Sequence, residues 1–168
     1  LLGGCRDALE KELVTYQARM NGITVRNSVL SEEFLAIAAQ IQAADSDSDK
    51  VAQAWQDSII PLANELKSEV SDLQPDAVEL REIHSQIVSC WTERANAYTT
   101  MLSSYRSGDT SGFKSAMDRN RGLKQQEEAY FVEINWKIRD KITARIFSEF
   151  ENEFRAFQTL QRTKMTYK

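Results

Sequence analysis

The fold is decided by residues 9–41, which read LEKELVTYQARMNGITVRNSVLSEEFLAIAAQI. Within this stretch one set of residues recurs at alternating steps of four and three, which is the heptad seam of a helix packed along a partner. The set contains Leu9, Leu13, Tyr16, Met20, Ile23, Asn27, Leu30, Phe34, Ile37 and Ile41. We predict a first helix over 6–44, and the pattern leaves its continuity through Gly22 open, because a helical glycine costs about 1 kcal/mol relative to alanine.

Three further amphipathic segments follow, at 50–73, 75–106 and 110–160. Pro61 lies inside the first of them and predicts a kink or a split there, because proline lacks a backbone donor. Pro75 is suited to the first position of the next helix, and Gly108 to the end of that helix. Short loops favour antiparallel neighbours. The predicted fold is therefore all-α: an elongated antiparallel up-down-up-down four-helix bundle with long first and last helices.

Three polar residues fall on the predicted seams. Asn27 belongs to the seam of the first helix, and Asn120 and Glu127 share one seam position of the last helix at seven-residue spacing. A polar seam residue often specifies helix register at a cost in stability. The same three residues would otherwise line a small ligand pocket, and the sequence leaves both interpretations open.

Catalytic and metal-binding patterns were sought without success. The chain has one histidine and two cysteines, which is too few for the usual zinc clusters or for a di-iron bundle. His84 and Cys90 are six residues apart and so lie on opposite faces of a helix. We therefore interpret His84 as a helix-face residue and Cys90 as a small buried hydrophobe, and we predict no enzyme activity, no metal and no cofactor. The net charge of -4 also argues against binding to nucleic acid.

Four phenylalanines near the end of the last helix need a partner surface. They are Phe147, Phe150, Phe154 and Phe157. In an antiparallel bundle whose outer helices are the longest, these rings would meet Leu9, Leu13 and Tyr16. We predict that contact as part of the core.

The first five residues, LLGGC, raise the question of location. Leu2, Gly3, Gly4 and Cys5 resemble the lipobox of bacterial lipoproteins, in which a leucine and small residues precede a cysteine. The resemblance covers only these residues. It implies that Cys5 is the lipidated mature N-terminus, that the preceding residues are cleaved off, and that most of the signal lies upstream of the sequence in hand. The alternative is that they are the frayed end of a cytosolic helical protein.

These observations divide the chain into a signal remnant with its lipidation cysteine (1–5), one helical bundle domain (6–161) and a basic tail (162–168). Arg162, Lys164 and Lys168 of the tail would contact anionic headgroups. We expect a non-catalytic, lipid-anchored protein of the bacterial cell envelope, facing the periplasm or the cell exterior, that acts as a structural or protein-interaction module with a protein partner. A small-ligand-binding or sensory helical bundle is the first alternative, and a cytosolic helical adaptor is the second.

Overall fold

The computed structural model describes residues 3–42 and 47–165, with side chains from Lys11 onward except at 42, at 79 and at many positions after 136. Every element in these ranges is helical, and no strand occurs in them, which confirms the all-α prediction. In chain order the helices are α1 (Gly3–Gln42), α2 (Ser48–Ala54), a π-helical turn (Trp55–Ile59), α3 (Ile60–Ser71), α4 (Val78–Ser107) and α5 (Thr110–Met165).

The contacts divide the chain into two compact units, Leu1–Tyr130 and Phe131–Lys168. The first unit contains α1 to α4 and the beginning of α5, and the second contains the remainder of α5. Among the described residues, no helix combines the length and the apolar character needed to cross a membrane.

The core of the first unit is built on the predicted seam of α1. Its described members from Tyr16 to Ile41 are all buried or half-buried, and α1 runs without a break through Gly22. The apolar stripe of α4 is buried as well. Its buried apolar members are Leu80, Ile83, Ile87, Trp91, Tyr98, Met101 and Leu102. A period of 3.5 residues therefore identifies the packed faces of both helices.

The segment around Pro61 stays helical but changes its winding. Asp47 caps α2 by accepting hydrogen bonds from the backbone N–H groups of Asp49 and Lys50. The π-helical turn Trp55–Ile59 then stands directly before Pro61, which occupies the first turn of α3. Proline is tolerated in a first turn because its missing N–H would have no partner there. The winding therefore changes directly before Pro61, where the sequence predicted a kink or a split.

The start of α4 differs from the prediction, since the helix begins at Val78 and not at Pro75. The backbone N–H groups of Asp76 and Ala77 donate to one carboxylate oxygen of Glu12 on α1, at 2.5 and 3.0 Å. A side chain from another helix thus holds the two residues that directly precede α4, which a local motif cannot reveal. At the other end of α4, Gly108 has φ +70°, so the predicted C-terminal glycine is confirmed.

The predicted contact between the two ends of the chain lies outside the described residues. The side chains of Leu9, Phe147, Phe150, Phe154 and Phe157 are not described. α5 ends at Met165, beyond the boundary at 161 that the sequence suggested.

Candidate functional site

The most conspicuous feature of the first unit is a charged side chain in the middle of its core. Arg94 takes the place of an apolar residue in the stripe of α4, three residues after Trp91 and four before Tyr98. Its side chain is only 1% exposed. A guanidinium carries five N–H donors and does not lose its charge, so burial at this position requires several acceptors.

Two other helices supply those acceptors. Arg94 Nη1 donates to Glu127 Oε2 on α5 at 2.6 Å, and Nη2 donates to Asn27 Oδ1 on α1 at 2.9 Å. The Nε donor lies 3.4 Å from Asn120 Oδ1, also on α5. Trp91 supports the arrangement twice, because its indole N–H donates to Glu127 Oε1 at 2.7 Å and its ring stands 4.2 Å from the guanidinium carbon. We call these five residues the polar cluster.

Burial and charge act against each other in the polar cluster. Burial raises the pKa of the Glu127 carboxyl above its usual 4.5, while the Arg94 charge and the hydrogen bonds from Trp91 and Arg94 oppose that rise. Burial also raises the pKa of the nearby Tyr16, and the charge of Glu127 adds to this rise. Both oxygens of Glu127 already accept hydrogen bonds inside the core. A general base must reach a substrate proton, and this carboxylate is held away from solvent.

The structure thus brings together the three polar residues singled out in the sequence, Asn27, Asn120 and Glu127. The space between them is occupied by the guanidinium of Arg94. Arg94 was not among the site residues predicted from the sequence. The missed signal was the spacing, since Arg94 falls on the apolar stripe seven residues after Ile87 and seven before Met101.

A second buried polar pair connects α1 with α4. The Tyr16 hydroxyl lies 3.0 Å from Nδ1 of His84, and the two rings meet edge to face at 5.5 Å between centroids. His84 therefore lies on the buried face of α4, as a core residue. The reason is that Tyr16, on the seam of α1, offers it a hydrogen-bond partner inside the core.

The two nitrogens of His84 have different surroundings. Nδ1 is hydrogen-bonded to the Tyr16 hydroxyl, and the tautomer of the imidazole decides which of the two groups donates. Nε2 is buried and reaches no partner at hydrogen-bonding geometry among the described residues. Burial lowers the pKa of His84 from 6.5, and the backbone of Val70 and Leu73, which favours the protonated ring, only partly opposes this.

A cavity of about 520 Å³ adjoins His84 at the turn between α3 and α4. Its apolar walls are formed by Leu73, Pro75 and Val88, and the remaining lining is polar: Ser71, Gln74, Asp76, Arg81 and Ser85. The Arg81 guanidinium donates to the backbone carbonyls of Pro75 and Asp76 and so holds the turn in place.

The remaining predicted site residues belong to the ends of the chain. The side chains of Cys5, Arg162 and Lys164, and all of Lys168, lie outside the described residues. Cys90 is buried as predicted, and burial raises the pKa of its thiol, with the charges of Glu127 and Glu93 adding to the rise. Within the described part of the chain, no group of three or more His, Cys, Asp or Glu side chains is placed to hold a metal ion.

The chain was compared with known proteins at three levels. No protein-family model matches it, and neither the curated proteins nor the solved structures contain a match.

Proposed function

We propose that this chain is a non-catalytic helical protein, anchored to a bacterial cell envelope by a lipid on Cys5, that acts as a structural or protein-interaction module. The polar cluster is the observation that carries the non-catalytic part. Its charged groups satisfy one another across α1, α4 and α5. Buried polar groups of this kind specify how helices fit together, so the cluster supports a role in architecture.

We also propose that the helices form the antiparallel four-helix arrangement expected from the sequence. Pairs of contacting residues support it. Arg26 on α1 pairs with Glu65 and Glu69 on α3, and Arg106 near the end of α4 binds Gln56 in the π-helical turn. On α5, Arg119 pairs with Glu93 of α4, while the later Glu127 binds the earlier Trp91. Between α5 and α4, therefore, the residue numbers rise on one helix as they fall on the other, as antiparallel neighbours require.

The anchoring part of the proposal rests on the sequence around Cys5. Leucine and two glycines precede the cysteine, in the lipobox order, and a long amphipathic helix follows. α1 begins at Gly3, so Cys5 lies in its first turn. A lipid at this position would attach the bundle to the membrane directly at the end of a helix.

Metabolic labelling with a radioactive fatty acid tests the anchor. The chain is expressed with its native upstream region in a bacterial host, and incorporation is compared between the wild type, Cys5→Ser and the matched variant Cys90→Ser. We expect label in the wild type and in Cys90→Ser and none in Cys5→Ser. Label that persists in Cys5→Ser would overturn lipidation at this residue.

Crosslinking in intact envelopes tests the interaction module. A photoreactive residue placed at the exposed Trp136, which is 61% accessible, is compared with one at the buried Ile87. We expect a discrete crosslinked species of defined mass from position 136 and none from position 87. A uniform smear or no product from several exposed positions would argue against a dedicated partner.

The cavity beside His84 supports a second candidate function, the binding of a small ligand. Its volume falls within the range of about 300–1,000 Å³ that is usual for ligand sites, and the imidazole of His84 belongs to its lining. A thermal-shift screen with small hydroxyl and amide compounds tests this function. A true ligand raises the melting temperature of the wild type but not of Ser85→Trp, which fills the cavity.

A further inference from the structure

The outer surface of α1 exposes an unusual number of large apolar side chains. Val14, Val25 and Leu35 are each about two-thirds exposed, at 65, 67 and 65%, and Val29 is 44% exposed. These four account for more than half of the exposed large apolar side chains among the described residues. Scattered apolar residues on a surface need no explanation, but a set confined to one helix face does.

Three of these four residues, Val14, Val25 and Leu35, belong to a second heptad seam, and Val29 lies beside it. Positions at alternating steps of four and three run along the side of α1 opposite its core seam, and all of them are exposed. They are Val14, Ala18, Asn21, Val25, Ser28, Glu32, Leu35 and Ala39. Glu32 is the only charged member. We call this set the outer seam. A helix with two opposed seams of this period is built to pack on both sides.

We propose that the outer seam binds the outer seam of a second copy of this chain, with the two α1 helices antiparallel. The proposal names a partner for the interaction module proposed above and does not depend on lipidation of Cys5. Because the interface uses one patch twice, it closes into a dimer with two-fold symmetry. From Val14 to Ala39 the contact would extend over about 38 Å of helix.

The outer seam is complementary to itself only in the antiparallel direction. With the two-fold axis between Val25 and Ser28, the seam matches a larger residue with a smaller one at three levels. The pairs are Val14 with Ala39, Leu35 with Ala18, and Val25 with Ser28. Alternation of large and small residues lets two helices approach closely and leaves no void between them.

The polar members of the outer seam decide the direction. In the antiparallel pairing Asn21 faces Glu32 of the other copy, so the amide can donate to the carboxylate. A parallel pairing would place Glu32 against Glu32, and like charges held close together destabilise helix pairs. It would also place Ala18 and Ala39 against their own copies, which leaves gaps.

The antiparallel dimer has a consequence for the ends of the chain. The two copies of Cys5 would lie at opposite ends of the pair, about 65 Å apart along the helix axes. Lipids on both copies would therefore reach two facing membrane surfaces. Experiments on the interface accordingly use the full chain with Cys5→Ser and Cys90→Ala, which removes the effect of a lipid and both native thiols.

Sedimentation equilibrium of this background protein over a concentration series tests the dimer. We expect the background protein to form a dimer. Val25→Glu should weaken this association about tenfold or more, because the change places an unpaired charge in the interface. Val78→Glu is the matched control, since Val78 is exposed at 58% but lies on α4; it should associate like the background. Circular dichroism verifies that all variants remain equally helical. A monomer at every concentration, or equal weakening by Val78→Glu, would overturn the proposal.

Disulfide mapping tests the direction. Ala18→Cys and Leu35→Cys are made separately and then oxidised either alone or mixed. Only the mixture should crosslink, because the antiparallel pairing brings position 18 against position 35 and leaves each position about 25 Å from its own copy. Efficient crosslinking of each variant with itself would show a parallel pair and overturn the arrangement. Neither result bears on palmitate labelling of Cys5, so the two proposals fail independently.

Discussion

Removal of the Glu127 carboxylate tests the polar cluster most directly. In Glu127→Leu the guanidinium of Arg94 and the indole N–H of Trp91 both lose a bond, and neither can turn to water, because Arg94 and Trp91 are each 1% exposed. Leaving one member of a buried ion pair without its partner costs about 3–5 kcal/mol. For a chain of this length we expect the melting temperature to fall by roughly 6–20 °C.

The double variant Arg94→Met with Glu127→Leu separates this cost from the loss of packing. Both charges are then absent. The Trp91 indole is unsatisfied in both variants, so the double variant exchanges the unpaired Arg94 charge for an unsatisfied Asn27 amide, at about 1–3 kcal/mol. We therefore expect the double variant to be more stable than Glu127→Leu alone. Arg119→Met is the surface control, because its pairing with Glu93 is largely exposed and should contribute less than about 1 kcal/mol.

Urea unfolding followed by circular dichroism measures these differences as a double-mutant cycle. The buried pair should show a coupling energy of at least about 2 kcal/mol, and the surface pair should show little. The reasoning is refuted if Glu127→Leu costs no more than Arg119→Met, or if the effects of Arg94→Met and Glu127→Leu simply add.

Three further predictions follow from other parts of the first unit. Because the pKa of His84 is lowered, the folded chain binds fewer protons than the unfolded chain. The resulting contribution to stability is complete above pH 6.5 and is lost as the pH falls toward the lowered pKa. Urea unfolding should therefore show that His84→Gln loses less stability between pH 7.5 and pH 5 than the wild type does. Gly108→Ala should destabilise the fold by about 1–2 kcal/mol, because an L residue is strained at φ +70°. Gly122→Ala, in the interior of α5 where an added Cβ meets nothing, should stabilise the fold by up to about 1 kcal/mol. Thermal melts of the two variants distinguish an effect of the backbone from one of crowding. In Cys5→Ser, the thiol of Cys90 should react with Ellman's reagent only as fast as the chain opens, because it is buried and its pKa is raised; immediate reaction in the folded chain would contradict its placement.

The helices were predictable because their information is local. The heptad spacing from Tyr16 to Ile37 identifies a buried face whatever that face contacts, and Gly108 ends α4 through its own backbone preference. The beginning of α4 was not predictable in this way. Pro75 satisfies the local rule for a first helical position. However, Glu12, more than sixty residues away, binds the amides of Asp76 and Ala77 and so holds them outside the helix.

The polar cluster was predictable only in part, for the same reason. Asn27, Asn120 and Glu127 stand out because each interrupts a seam of apolar residues. Their common partner Arg94 interrupts a seam as well, but charged residues are frequent on helices and a single one gives little signal. The burial of His84 was not predictable from its own helix either. It is explained only by the position of Tyr16 across the helix interface, where the hydroxyl gives the imidazole a hydrogen-bond partner.

The polar cluster also offers a way to find proteins related to this one. Its members form a spaced pattern: an asparagine in the first helix, a tryptophan and an arginine three residues apart in α4, and an asparagine and a glutamate seven residues apart in α5. Because Arg94 and Glu127 depend on each other, a change at one position should be accompanied by a change at the other. Helical chains that keep the whole pattern can therefore be recognised as candidate relatives even where the rest of their sequences has diverged.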